Sequence, residues 1–241
     1  MHKYCIGIAA VLLGLTGCGG SDSSEPLDVY AAASLAEVFP EVDPDANFSF
    51  AGSDELATQI REGAPADLYA AASSRYPQGL YEAGLVDEPA TFATNRLVLV
   101  VPKANPGGIE SVEDILQTGT RLVVAADGVP VGDYTRMVLE TLGLSKALDN
   151  VVSNEDDVKG VTAKVSLGEA DAGFVYATDV TPVGDRVLAF ELPADAQPPI
   201  EYQVAVVADG DDERAAQEFV EKLLGDEGRE ALERAGFVVP T

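Results

Sequence analysis

Short apolar patterns typical of β-strands alternate with amphipathic helical patterns along the chain after residue 26. This alternation favours an α/β fold with mainly parallel sheets. The chain has 241 residues, of which 46% are apolar, so it is long enough to bury a sizeable core in one large domain or in two lobes.

The first strand-to-helix unit is DVYAAASLAEVFP at residues 28–40. Ser34 is followed three residues later by Glu37, which is the S-x-x-E spacing of a capping box at a helix N-terminus. A strand that feeds a helix through small residues brings several backbone N–H groups and one hydroxyl to a single point, which suits an anion. Taken alone, the stretch favours the simpler interpretation that Ser34 only caps its own helix.

Two later stretches repeat this arrangement. AGS at residues 51–53 ends a strand pattern and begins a helix pattern, and GAPADLYAAAS at residues 63–73 contains a turn, a strand and a second run of small residues. With VPVGDY, EDDVKG, ADAGFVY and EYQVAVV further along, these motifs resemble, in order, the periplasmic molybdate-binding proteins of ABC transporters. Each motif alone is a weak signal, but the resemblance extends to the C-terminus.

The resemblance implies a two-lobed type II periplasmic-binding-protein fold. Each lobe is then expected to be a mainly parallel sheet flanked by helices, with the ligand in the cleft between the lobes. Residues 27–94 plus 207–241 are expected to form the first lobe, and residues 95–206 the second. The chain would cross between the lobes near Asn95 and near Val206.

By motif, the resemblance implies five oxyanion-binding residues: Ser34, Ser53, Val131, Val158 and Tyr176. Each serine would supply a hydroxyl and a backbone N–H, each valine a backbone N–H, and the tyrosine its phenol O–H. The two serines and two valines lie at or within a turn of a predicted helix start, where N–H groups lack partners inside the helix. Simpler interpretations stay open: Ser53 as an N-cap, and the valines and the tyrosine as core residues.

The implied ligand is molybdate or tungstate, bound by neutral hydrogen-bond donors without direct metal ligands. Sulfate is also a tetrahedral dianion and differs mainly in its shorter bonds. Phosphate carries a proton near neutral pH and needs an acceptor, for which Asp54 or Asp133 is a candidate. The same two carboxylates would repel an anion unless they point towards solvent.

The N-terminal sequence resembles the signal sequence of a bacterial lipoprotein. Residues 1–17 are expected to be a signal peptide, and LTGC at residues 15–18 resembles the bacterial lipobox, in which Cys18 becomes the lipid-carrying first residue. Residues 18–26 have the composition of a flexible tether. The implied protein is an extracytoplasmic monomer, anchored by lipid to the cell membrane, that serves an ABC permease and its ATPase.

Composition excludes several other functions. The net charge of −26 argues against nucleic-acid binding. His2, the single histidine, and Cys5 leave with the predicted signal peptide, so no catalytic histidine, free thiol or His/Cys zinc site is expected afterwards. We therefore expect a binding protein without a cofactor, not an enzyme. A carboxylate-dependent extracytoplasmic hydrolase and a ligand-sensing or adhesion lipoprotein remain as alternatives.

Overall fold

A computed structural model describes residues 26–240 of the chain. The predicted signal peptide, Cys18 and nearly all of the predicted tether lie outside the described residues. Ten strands occur between residues 26 and 240: β1 (Asp28–Ala32), β2 (Asn47–Ala51), β3 (Leu68–Ala71), β4 (Ala90–Asn95), β5 (Leu97–Pro102), β6 (Leu122–Ala125), β7 (Val151–Glu155), β8 (Ala172–Tyr176), β9 (Val187–Glu191) and β10 (Ile200–Val206).

Seven α-helices accompany the strands in the same stretch of chain: α1 (Phe39–Val42), α2 (Ser53–Arg61), α3 (Arg75–Glu82), α4 (Pro130–Thr141), α5 (Val158–Ser166), α6 (Glu213–Leu224) and α7 (Asp226–Arg234). Shorter 3-10 segments are Ala33–Leu35, Val112–Leu116, Ser145–Asn150, Ala177–Val183 and Ala194–Ala196. Within residues 26–240, none of the helices has the length and apolar character needed to cross a membrane.

The strands form two five-stranded sheets, one in each lobe. Their orders are β2-β1-β3-β10-β4 and β7-β6-β8-β5-β9. In each sheet two pairings are parallel and two are antiparallel. The sheets are therefore mixed rather than mainly parallel, because β5 and β10 arrive from the other lobe and are not bound by the parallel geometry of a β-α-β crossover.

The last strand, β10, belongs to the first lobe, which corrects the expected boundary. It pairs with β3 and β4, with Gln203 opposite Ala71 and Tyr202 opposite Ala93. The chain therefore returns before Ile200 and not near Val206. An apolar run such as EYQVAVV suits a buried strand in either sheet, so the pattern alone does not select its neighbours.

Burial on both faces explains the apolar run of β3. Leu68 and Ala70 pack into the large cluster that contains β1 and α6, whereas Tyr69 and Ala71 face a second cluster formed with α2 and α3. A strand covered on both faces is apolar throughout instead of alternating.

The segment after β1 differs from the predicted capped helix. Ser34 lies inside the 3-10 segment Ala33–Leu35, and its hydroxyl contacts Tyr202 instead of a backbone N–H. The capping-box interpretation is therefore wrong. The next helix, α1, begins only at Phe39, with Pro40 in its first turn, where a missing N–H is tolerated.

We expect Gly132→Ala to lower the free energy of unfolding by about 1–3 kcal/mol, because the new methyl group would overpack the junction between β6 and α4. A Cβ at Gly132 would overlap the carbonyl oxygen of Ala126 and lie 2.5 Å from that of Ala125. Urea unfolding of the ligand-free protein measures the effect. Gly184→Ala is the matched control, because its nearest atom would be 3.6 Å away. Equal stability of the two variants would contradict the expected overpacking at Gly132.

Candidate functional site

A small cavity lies between the two lobes, and its wall includes all five residues expected to bind an oxyanion: Ser34, Ser53, Val131, Val158 and Tyr176. The centres of water-sized groups can occupy about 20 Å³ of it. The other wall residues come mainly from the ends of β1, β2 and β3 and from the starts of α4 and α5. The cavity therefore fits a small ligand and is too small for a sugar or a peptide.

Ser34 and Ser53 follow the ends of two neighbouring parallel strands. β1 and β2 pair in a register that places Ala32 opposite Ala51, so the residues after both strands lie at the same edge of the sheet. Gly52 separates β2 from α2, and Ser53 is the first residue of that helix. Strand ends and helix starts converge at this edge, which is where α/β proteins bind ligands.

Val131 and Val158 hold corresponding positions in the second lobe. β6 and β7 are parallel, with Ala125 opposite Glu155, and they lead to α4 and α5. Val131 is the second residue of α4 and Val158 the first of α5. Their N–H groups therefore have no carbonyl partner inside the helix.

Both serine hydroxyls are held by buried partners. Ser34 Oγ lies 2.9 Å from Tyr202 Oη, and Ser53 Oγ accepts the N–H of Ala72 at 3.1 Å. The Tyr69 hydroxyl donates to the Ser53 carbonyl at 2.6 Å, which anchors the backbone at the start of α2. Because Ser53 Oγ acts as an acceptor here, its own O–H remains available to donate to a ligand.

Tyr176 has a buried hydroxyl without a hydrogen-bond partner among residues 26–240. The residue is only 1% exposed. Burial raises the pKa of its phenol well above the usual 10.0, so the hydroxyl keeps its proton and can donate. A buried donor without a partner costs about 1–3 kcal/mol. The Tyr176 hydroxyl is therefore available to donate a hydrogen bond to an acceptor placed in the cavity.

The cavity wall offers neutral dipoles rather than cations. Within the described part of the chain, no Lys or Arg lines it. The carboxylate residue of the wall is Asp157, whose Oδ1 accepts the N–H of Gly160 at 2.8 Å as the cap of α5. Among residues 26–240, no group of three or more His, Cys, Asp or Glu side chains is arranged to hold a metal ion.

Asp54 and Asp133, the two carboxylates expected to repel an anion, lie outside this wall. Asp133 pairs with Arg75 at 3.2 Å and also accepts the N–H of Gly128. Asp54 Oδ1 is buried without a hydrogen-bond partner in residues 26–240. Burial raises the pKa of Asp54, and the charges of Glu55 and Asp133 act in the same direction. A raised pKa favours the uncharged acid, which weakens the repulsion expected from this residue.

Contacts between the lobes close the cavity from two sides. On one side, the Tyr76 hydroxyl of the first lobe donates to the Gly128 carbonyl of the second. On the other side, Lys159 Nζ lies 3.5 Å from the Glu37 carboxylate. The structure therefore shows the lobes in a closed arrangement.

Lys159 also contacts a buried acid of its own lobe. Its Nζ lies 3.5 Å from Asp179 Oδ1, and neither Asp179 oxygen accepts a hydrogen bond within the described residues. Burial raises the pKa of the Asp179 carboxyl to about 6, although Lys159 acts in the opposite direction.

The sequence motifs pointed to the five residues around the cavity but not to the two tyrosines that contact its serines. Tyr202 lies 168 positions from Ser34, and Tyr69 lies 16 positions from Ser53. A tyrosine in an apolar strand usually indicates core packing, so no local signal distinguished these two.

Similarities to known proteins extend over nearly the whole chain. The family model described as bacterial extracellular solute-binding protein matches residues 27–238. The molybdate-binding protein ModA of Mycobacterium tuberculosis (strain ATCC 25618 / H37Rv) is 35% identical over 96% of this chain and 95% of the relative. The putative ABC transporter substrate-binding lipoprotein YvgL of Bacillus subtilis (strain 168) is 30% identical over 98% of both chains.

Among solved structures, the periplasmic molybdate-binding protein of Azotobacter vinelandii matches with a TM-score of 0.77. The sequences are 22% identical, and the match covers 89% of this chain and 100% of that chain. This likeness confirms the expected two-lobed fold.

We expect the stability difference between Asp179→Asn and the wild type to depend on pH. The folded-state pKa of Asp179 is raised from the usual 3.8 to about 6, so its contribution to stability is present below about pH 3.8 and is lost as the pH rises through about 6. The Asp179→Asn variant has no carboxyl to ionise at this position, so its stability does not fall in this way. Its free energy of unfolding, minus that of the wild type, should rise by on the order of 3 kcal/mol between pH 4 and pH 7.

Urea unfolding at a series of pH values measures this difference. Asp185→Asn removes an exposed carboxylate nearby and controls for the loss of one negative charge. A difference between Asp179→Asn and the wild type that stays constant over the pH range would contradict the prediction.

Proposed function

Because the chain belongs to the bacterial extracellular solute-binding protein family and, within it, to the molybdate-binding ModA proteins, we propose that it captures molybdate or tungstate and delivers it to the permease of an ABC importer. The family consists of binding proteins, so the chain is a solute-binding protein and not an enzyme. The hydrolase alternative is therefore set aside.

The buried Tyr176 hydroxyl is the observation that carries this proposal. It lies in the wall of a closed cavity, keeps its proton and has no partner among residues 26–240. Ser34 and Ser53, with Val131 and Val158 at the starts of α4 and α5, line the same cavity and would supply N–H and O–H donors. Such a set of neutral donors fits an anion with several acceptor oxygens.

The number of donors is sufficient for tight binding. Ser34 and Ser53 would give two donors each, and Val131, Val158 and Tyr176 one each. Charge-assisted hydrogen bonds contribute about 1.5–3 kcal/mol each, so about seven of them give on the order of 10–20 kcal/mol before losses. Desolvation and lobe closure reduce this to about 8–12 kcal/mol, which corresponds to micromolar to nanomolar affinity.

In the described cavity wall the carboxylate is that of Asp157, whose Oδ1 is committed to capping α5, and this favours a fully deprotonated oxyanion over phosphate. A protonated oxyanion carries an O–H that needs an acceptor. Asp157 already caps α5, and Asp54 and Asp133 lie outside the wall. Sulfate lacks such a proton, so its discrimination depends on bond length and on donors that cannot close around a smaller ion.

We also propose that the protein is a lipid-anchored monomer. The LTGC sequence at residues 15–18 supports lipidation of Cys18, which lies outside the described residues. The similarity to YvgL, which is named a lipoprotein, points the same way. All five proposed ligands come from one copy of the chain, so the site needs no second subunit.

Isothermal titration calorimetry of the purified protein with molybdate, tungstate, sulfate and phosphate tests the function. We expect one-to-one binding of molybdate and tungstate in the micromolar to nanomolar range, and binding of sulfate and phosphate that is at least about a hundredfold weaker, equivalent to about 2.7 kcal/mol. Tight binding of sulfate or phosphate without molybdate binding would refute the ligand assignment.

Tyr176→Phe should weaken molybdate binding about ten- to hundredfold, because one charge-assisted hydrogen bond is lost. The stability of the ligand-free protein should not fall, because this hydroxyl has no partner within residues 26–240. Calorimetry and thermal unfolding measure the two effects. Tyr81→Phe on the exposed surface of α3 is the matched control. Unchanged affinity in Tyr176→Phe would remove the tyrosine from the ligand set.

A further inference from the structure

Tyr202 lies behind the cavity and not in its wall. Its side chain comes from β10, is fully buried and packs against the rings of Tyr176, Phe92 and Phe237 at centroid distances of 5.8, 6.0 and 5.2 Å. A β-bulge in the pairing of β4 with β10 occurs beside it, and bulges commonly redirect a side chain. The ring is therefore fixed in one orientation.

The hydroxyl of this fixed ring meets the hydroxyl of Ser34. The two oxygens lie 2.9 Å apart, and each group is chemically able to donate or accept. The direction of this hydrogen bond decides what Ser34 can offer to a ligand. If Ser34 donates to Tyr202, its proton is directed away from the cavity.

The surroundings of Tyr202 favour one of the two directions. Burial raises the pKa of Tyr202 well above the usual 10.0, so its proton is retained and needs an acceptor. In residues 26–240, Ser34 Oγ is the acceptor within hydrogen-bond distance of this hydroxyl. Asn95 also lies beside this hydroxyl and acts to lower its pKa, while the Asn95 oxygen accepts the N–H of Arg96 and its Nδ2 donates to Thr178 Oγ1. When an oxyanion in the cavity accepts the Ser34 proton, the reverse arrangement would leave the buried Tyr202 O–H without an acceptor, which costs about 1–3 kcal/mol.

We propose that Tyr202 is a positioning residue for anion capture, whose O–H donates to Ser34 Oγ and thereby directs the Ser34 proton into the cavity. This inference rests on the proposed function, in which Ser34 donates to the oxyanion. Tyr202 does not touch the ligand and acts only through Ser34. Without its hydroxyl, the Ser34 O–H can rotate, and part of its orientation is lost before binding.

A double-mutant cycle tests the proposal. Molybdate affinity is measured by calorimetry for the wild type, Tyr202→Phe, Ser34→Ala and the double variant. We expect Tyr202→Phe to weaken binding about three- to tenfold when Ser34 is present, which is the effect of one neutral hydrogen bond, and less than about twofold when Ala replaces Ser34. A purely structural role for Tyr202 would weaken binding by the same factor in both backgrounds.

Replacement of Tyr202 by 3-fluorotyrosine keeps the ring and its hydroxyl. It therefore provides a second test of the proposal, which does not depend on the stability of Tyr202→Phe. Its more acidic O–H is a stronger donor, so we expect tighter binding with Ser34 and no change with Ala at position 34. Unchanged or weaker binding in the Ser34 background would overturn the proposal. Thermal unfolding of each ligand-free variant reports effects on the fold itself.

The two proposals fail in different ways. The cycle uses molybdate, or whichever of the four oxyanions the wild type binds in the titrations. A wild type that binds sulfate instead of molybdate refutes the ligand assignment, while the cycle still tests Tyr202. A wild type that binds molybdate, with equal losses in both Ser34 backgrounds, refutes the role of Tyr202 alone. A wild type that binds none of the four overturns both.

Discussion

Backbone N–H groups without partners in their own helices are the feature on which the proposed site depends. The chain turns from a strand into a helical segment near Ser34, Ser53, Val131 and Val158, and all four places meet at one cavity. A helix start carries a partial positive charge, so several of them together stabilise an anion without a cation. Fixed dipoles also avoid the large desolvation penalty of a lysine or arginine buried when the lobes close.

The neutral character of this cavity explains how an acidic protein is suited to an anion. The net charge of −26 is spread over the chain, and exposed charges are screened within about 10 Å at 0.1 M salt. Three acids around the cavity have partners or a shifted pKa. Asp133 pairs with Arg75, Asp157 caps α5, and burial raises the pKa of Asp54. The local field is therefore set by dipoles and not by the net charge.

Closure of the lobes depends on close contacts that flank the same cavity. A Cβ at Gly52 would lie 2.6 Å from the carbonyl oxygen of Asp156 in the opposite lobe, so a side chain there would force the lobes apart. Tyr76 and Lys159 join the lobes on either side. Because the cavity is small, a sugar or a peptide would keep these contacts from forming, which couples solute size to lobe closure.

The sequence by itself determined the alternation of strands and helices, and its ordered motifs, through their resemblance to a known family, pointed to the five residues that meet at the cavity. The alternation depends on hydrogen bonds and periodicities that act within a few residues, and each motif is itself a short local segment. Only the tertiary structure placed β10 in the first sheet and made Tyr202, and not a helix cap, the partner of Ser34. The contact between Ser34 and Tyr202 joins residues 168 positions apart, and no local pattern encodes which distant side chain fills a given space once the sheets have formed.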